Sequence, residues 1–286
     1  MADKISWIDP NGTEHLFETD MKVLSGMNGR WMPPISYTED KVPFQPGSRL
    51  RNVNVEPRDV DIPIYIKAKS EMNLKNKMRQ TTRMLNPLKG DGKLKVISPD
   101  GSQRELSCRY LTGLEGREER GIKGVRWQKA ILVFRAFDPF WYDTAAIVKS
   151  FKINESPATF FPFFPLRLTS SSVFADTSID NTGDVETWPE WIITGPGENI
   201  VLRNMTTGEI THIETSVGDG ESITINTKPF EKTVTKNDGT NLFHTLTDES
   251  SLWALQEGKN SIRLEMSNAN EASSIQLTYR NRYWGP

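Results

Sequence analysis

One cysteine, Cys108, is all that the 286 residues contain, so no internal disulfide can form. It sits in the strand-like run Glu105-Leu106-Ser107-Cys108-Arg109-Tyr110-Leu111, which marks it as a small core residue. A catalytic thiol needs a base, and no histidine lies near it in sequence. Histidine is itself scarce: His15, His212 and His244 are far apart and none has a ligand neighbour at helical or hairpin spacing. One Cys and scattered His exclude a zinc site of the Cys and His type. Long apolar runs are also missing, and none reaches the roughly 18 residues of a membrane helix. The start, MADKISWIDP, carries an acid and a strand-like alternation but no apolar core of a signal peptide. Synthesis and retention in a cytosol, until assembly or lysis, are expected.

Phosphate and calcium loops are absent as well. Gly195-Pro196-Gly197-Glu198 has a proline and no following helix to face a phosphate. Gly218-Asp219-Gly220-Glu221 lacks the alternating acids of a calcium loop and reads as a hairpin turn. Glu118 with Glu119, and Asp138 with Asp143, are paired carboxylates, but a glycosidase needs two carboxyls facing across a cleft. Glu118 and Glu119 are adjacent on a loop between Arg117 and Arg120, which keep them ionised. A solvated or partner-facing charge cluster is the expected role. No catalytic residue, metal ligand or cofactor is assigned.

What is present describes a soluble globular chain, 36% hydrophobic, with a mean hydropathy of -0.52. The length suits about two domains of roughly 150 residues. Charge divides the chain too. Residues 1–145 hold 24 Lys and Arg against 19 Asp and Glu, a net of +5, and the remainder is -7. Such asymmetry suggests different surroundings for two domains, and is too mild for sequence-specific nucleic-acid binding.

In the first half, Lys4 to Asp9, the turn Pro10-Asn11-Gly12-Thr13 and Glu14 to Phe17 read as a hairpin, because Asn-Gly tolerates positive φ. Gly26 to Ile35 is a loop and Val42 to Gly47 a turn region. Val60 to Lys67 is a strand, and Pro63 places it at an edge. One helix stands out over about residues 71–88, with Ser70 as N-cap, Glu71 in the first turn, and a stripe of Leu74, Met78, Thr81, Leu85 and Leu88. Lys93 to Leu111 forms a hairpin around Pro99-Asp100-Gly101. Arg126 to Phe137 is the most apolar strand, with apolar residues on both faces that predict burial on both sides.

The junction falls near residues 145–155, giving domains over 1–148 and 149–286. The aromatic and proline run Phe160-Phe161-Pro162-Phe163-Phe164-Pro165 opens the second and is expected to pack on a domain face. Beyond it, strands recur about every ten residues: Trp191 to Thr194, Ile200 to Asn204, Ile210 to Val217, Ser222 to Asn226, Ser261 to Met266 and Ser274 to Tyr279. Turn signals such as Asn181-Thr182-Gly183-Asp184 and Asn237-Asp238-Gly239 separate them. This is the pattern of an antiparallel sandwich or jelly roll.

The order of these elements resembles the distal tail proteins of long-tailed, non-contractile phages. In the first half the resemblance rests on Gly26 to Gly29, the helix, the Lys93 to Leu111 hairpin and the strand ending Phe137-Asp138-Pro139-Phe140-Trp141. In the second it rests on Asn181 to Asp184, Trp188-Pro189-Glu190-Trp191-Ile192-Ile193-Thr194-Gly195-Pro196, Asn204 to Glu209 and Trp253 to Asn260. The resemblance implies a mostly β fold: an N-terminal sandwich or split-barrel-like domain with one helix, and a C-terminal galectin-like antiparallel β-sandwich. It implies a homo-oligomeric ring, usually a hexamer, formed by the first domain at the tail tip of the virion and assembled in the host cytoplasm. Its partners would be the tail tube, the tail-tip hub and receptor-binding proteins, with no membrane. The hubs of contractile tails share the first-domain fold. The family carries no catalytic residues, and none are transferred.

For the ring, Arg117, Glu118, Glu119 and Arg120 are the candidate contacts to a neighbour's Arg49, Arg51 and Arg58. Two other functions compete. A sugar-binding module would use Trp188, Trp191, Trp253 and Trp284, whose more ordinary role is packing. A glycan-degrading enzyme would need a carboxylate pair the sequence does not place.

Overall fold

The computed structural model describes residues 3–17, 21–116, 119, 121–152 and 173–286. The chain divides into two compact units. The first holds residues up to Thr144 together with Tyr283–Pro286, and the second runs from Ala145 to Arg282. The boundary lies a few residues before the 148/149 division read from sequence. More significantly, the chain returns to the first unit at its end, so the units are joined by two crossings and not one.

The first unit contains β1 (Lys4–Ile8), β2 (Glu14–Leu16), β3 (Met21–Val23), β4 (Ile35–Asp40), β5 (Arg49–Val55), β6 (Arg58–Lys67), α1 (Glu71–Met84), β7 (Gly92–Ile97), β8 (Gln103–Thr112), β9 (Lys123–Gly124), β10 (Trp127–Ala136) and β11 (Trp141–Asp143). Its main sheet runs β2-β1-β7-β8-β10-β6-β3, with β9 beside β10 and β11 beside β8. Alternating residues fill the core beneath it. Val60, Ile62, Ile64 and Ile66 of β6 are wholly buried, as are Leu94 and Val96 of β7 and Leu132 and Phe134 of β10. The Trp7 ring lies 4.8 Å from that of Phe134, and its Nε1 donates to the Met84 carbonyl at the end of the helix (3.1 Å).

Two strands differ from their sequence reading. The β10 strand buries one face only: Leu132, Phe134 and Ala136 point inward while Ile131 is exposed, as is Phe137 just beyond it. Nor is β6 an edge. It pairs with β10 on one side and with the three-residue β3 on the other. Pro63 is tolerated because its carbonyl, and with it its nitrogen, faces past the end of β3, where the carbonyl accepts from Leu24 N (2.8 Å).

The helix begins as expected, with Ser70 Oγ accepting from Asn73 N (3.2 Å). It ends early, at Met84. Asn86 precedes Pro87, and the proline ring drives the residue before it out of the helical region, here to φ -60 and ψ 109. Leu88 is consequently exposed, and the apolar stripe stops at the buried Leu85. Cys108 lies fully buried on β8, where desolvation pushes the thiol well above its ordinary range. Native protein is therefore expected to resist the chromogenic disulfide DTNB, with one thiol released per chain only on denaturation; release at the rate of a free thiol under native conditions would contradict the burial.

The second unit adds β12 (Ile147–Lys152), β13 (Val173–Asn181), β14 (Glu190–Thr194), β15 (Gly197–Asn204), β16 (Ile210–Val217), β17 (Ser222–Asn226), β18 (Thr233–Lys236), β19 (Gly258–Ser267), β20 (Ser274–Tyr279) and, straddling the return to the first unit, β21 (Arg282–Tyr283). All but β21, which pairs with β11, form an antiparallel sandwich. One sheet is ordered β12-β20-β14-β17-β18 and the other β13-β19-β15-β16. Between them lies one apolar core containing Ile193, Ile225, Leu277, Leu202 and Leu264, with the Trp191 and Trp253 rings edge to face at 5.5 Å. The Phe160 to Pro165 run lies outside the described residues.

Several turns marked by the sequence are held by buried asparagines. Asn181 Oδ1 accepts from Gly183 N (3.0 Å) while its Nδ2 donates to the Val185 carbonyl (2.9 Å). Asn204 Oδ1 accepts from Thr206 N (3.0 Å), and Asn260 Oδ1 accepts from Gln256 N (2.9 Å). A buried amide left unpaired is expensive, so these turns fix the sandwich's connections.

Candidate functional site: an assembly surface

The β4 and β5 strands form a two-stranded ribbon that pairs with no other strand among the described residues. Ile35 stands opposite Val55, and Tyr37 opposite Val53. Ser36 with Asn54, and Thr38 with Asn52, occupy the intervening positions. Side chains alternate across a strand, so one face is Ile, Tyr, Val, Val and the other Ser, Thr, Asn, Asn. The apolar face is not covered: Tyr37 is 62% exposed and Val53 47%. An isolated hairpin is marginal in water, and a ribbon with an apolar face gains its stability by packing that face.

The tip is built with strain. Gln45 N donates to the Val42 carbonyl (3.2 Å), closing the turn Val42-Pro43-Phe44-Gln45. Phe44 takes the position that requires positive φ, at 65°, and its side chain is fully exposed. Glycine would sit there without penalty, whereas a bulky residue costs roughly 1 kcal/mol or more. Strained, exposed aromatics of this kind are retained where the side chain has a use. Lower on the ribbon, Arg51 pairs with Asp40.

The base is pinned from inside the unit. Arg58, the first residue of β6, is wholly buried, with the Asp138 carboxylate near enough to favour its charge. Its Nη1 donates to the carbonyls of Arg30 (2.9 Å) and Trp31 (2.8 Å), and its Nη2 to the carbonyl of Trp284 (2.8 Å). Desolvation pushes the guanidinium down to about 10, which leaves it charged at neutral pH. Charged donors to carbonyls offset part of that desolvation. Trp141 Nε1 donates to the same Arg30 carbonyl (2.9 Å), and Glu56 N to the Pro34 carbonyl (2.9 Å).

These positions revise the candidate contacts. Arg49 and Arg51 are exposed on β5. Arg58 is not on that surface at all: its side chain turns inward to the carbonyls, and the Asp138 carboxylate favours its charge there. Arg117, Glu118 and Arg120 lie outside the described residues. Glu119 is exposed, and its carbonyl accepts from the Ile122 and Lys123 amides, closing a turn (3.0 and 3.2 Å). Sequence reading missed Tyr37, Val53 and Phe44. The alternation of Ile35-Ser36-Tyr37-Thr38 and Val53-Asn54-Val55 was the available signal, masked by the prolines and glycines on either side.

The sugar reading loses two of its residues. Trp191 and Trp253 are core, and neither can stack on a ligand. Trp188 is half-buried, with the Lys232 ammonium 5.9 Å from its ring centre, and the Trp284 ring lies 5.0 Å from Phe140. No three His, Cys, Asp or Glu side chains converge as a metal site among the described residues.

Residues 182–283 match the family described as siphovirus-type tail component, C-terminal domain. Comparison with curated protein sequences gives no match. Among solved structures, the chain is similar to the crystal structure of the Dit (gp 19.1) protein of phage SPP1, described as a paradigm of the hub adsorption apparatus in phages infecting Gram-positive bacteria. The TM-score is 0.69 at 14% identity, over 98% of this chain and 99% of that one. It is also similar to a chain of the phage P2 baseplate in its activated conformation with calcium, with a TM-score of 0.52 and 12% identity over 100% of both chains. The same baseplate with strontium gives a TM-score of 0.52 at 11% identity, over 97% of this chain and 98% of that one. Residues 182–283 thus carry the signature of a siphovirus-type tail component, C-terminal domain, and the chain as a whole shares the fold of the SPP1 Dit protein.

Proposed function

We propose that the protein is a structural hub of a phage tail tip, and that its first unit assembles with copies of itself into a closed ring of six. The ring joins the tail tube to the tail-tip and receptor-binding proteins, and the second unit is carried on it. No catalytic step belongs to this function. The carrying observation is the β4–β5 ribbon, whose apolar face a folded monomer leaves open to water. A ring needs a heterologous contact whose rotation closes, so each copy must offer two different patches. The ribbon, projecting and apolar on one side, is one of them. Similarity to a hub protein and to baseplate chains supports the location in the virion.

The test is electron microscopy of the purified protein and of tails labelled on it. Rings with sixfold symmetry, and label at the distal end of the tail, are expected. A protein that stays monomeric at high concentration, with label away from the tail end, refutes the reading.

A further inference from the structure

The segment Tyr283–Pro286 is folded into the first unit, and it lies at the foot of the ribbon. Arg58 binds a carbonyl 226 residues away, that of Trp284, with the same guanidinium that binds the carbonyls of Arg30 and Trp31. Gly285 is set so close against the Trp31 ring that a Cβ on it would fall 2.5 Å from Trp31 Cε3. Its carbonyl accepts from Arg104 Nη1 (2.6 Å), and the Arg104 guanidinium lies 3.5 Å over the centre of the Tyr283 ring. Tyr283 Oη contacts Asp143 at 3.2 Å. The segment is therefore held by two arginines, through backbone carbonyls and an aromatic face.

Trp31 and Arg58 are the residues from which the two legs of the ribbon depart. Three residues separate Trp31 from β4, and two separate β5 from Arg58. Without the segment, one of the four carbonyls around a buried cation is missing, the only one that Nη2 is seen to reach, and the inner face of Trp31 is uncovered. A buried guanidinium that loses an acceptor does not stay in place; it recruits water or turns outward. Either movement releases the carbonyl of Trp31 and leaves that of Arg30 held by Trp141 Nε1 alone, which loosens the angle at which β4 and β5 leave the sheet. Tyr283 also pairs with β11 at the edge of the main sheet and enters its core, whereas the β1–β7 pair and the Trp7–Phe134 contact lie away from the segment.

We propose that Tyr283–Pro286 is the positioning element of the ribbon, so that the first unit becomes competent to assemble only after a segment synthesised beyond the second unit has folded back into it. This rests on the ribbon being the assembly surface. The device couples assembly to synthesis of both units: chains that stop within the second unit keep the β1–β7–β8–β10 ladder but carry an unseated ribbon.

Hydrogen exchange on the full chain separates this from general destabilisation. Three forms are compared with the parent: deletion of 283–286, Gly285→Val, whose side chain forces the Trp31 ring off its present place, and Trp284→Phe, which keeps the carbonyl and an aromatic ring. In the deletion and in Gly285→Val, amides of β4, β5 and Glu56 should exchange at least tenfold faster, with β1 and β7 amides unchanged. Ring formation should be lost in both, and both properties kept in Trp284→Phe. Uniform acceleration across the unit, or none at the ribbon, in Gly285→Val overturns the proposal, and that variant decides the matter if the deletion fails to fold. If the parent itself forms no ring, the assembly reading fails, while the exchange pattern still tests the positioning.

Discussion

Tyr37→Lys combined with Val53→Lys is expected to abolish ring assembly and leave the monomer folded. The two residues stand directly opposite on the apolar face of the ribbon, and both are largely exposed in the single chain. In the monomer the new ammonium groups stay hydrated. Their repulsion as a facing pair costs roughly 1 kcal/mol or less. Against a neighbouring subunit the same charges must be stripped of water opposite an apolar surface with no partner, a cost of several kcal/mol. A weakening of at least a hundredfold follows, equivalent to about 3 kcal/mol per contact. Sedimentation velocity across a concentration series measures it. A variant that assembles as the parent does would remove the ribbon from the interface.

Trp253→Ala is expected to destabilise the second unit by about 3–5 kcal/mol while the first unit is unaffected. The indole is buried, stacks edge to face on Trp191 and donates from Nε1 to the Leu202 carbonyl (3.3 Å). Removing it opens a large cavity between the two sheets and takes away the indole's hydrogen bond to the Leu202 carbonyl. Urea denaturation followed by circular dichroism should split into two transitions, the earlier one belonging to the second unit. A shift of less than 1 kcal/mol would mean that the indole is not the keystone of the sandwich core. The same burial decides against the sugar role, since an indole enclosed by two sheets has no face to offer a pyranose ring.

The sequence alone determined the class of fold. Period-two alternation, turn residues every ten positions and one stripe with a Ser70 cap specify a mostly β chain with a single helix, because each signal is local. Scarcity of Cys and His likewise argued against thiol and zinc chemistry from the sequence. The second sandwich was legible strand by strand, except for β12, β13 and β18, whose alternation is diluted by charged and hydroxyl residues. Tertiary structure decided the rest. Arg58 resembles any surface arginine in sequence, and only the convergence of the Arg30, Trp31 and Trp284 carbonyls draws it inside. Ile131 and Leu132 are adjacent and equally apolar, yet only the sheet's pairing sets which one faces the core. The ribbon's significance is of the same kind: its alternation predicts a strand with one buried face, and the fold supplies nothing to bury it. The return of Tyr283–Pro286 to the first unit has no local signal at all, since the groups that hold it lie on β6 and β8, far away in the chain.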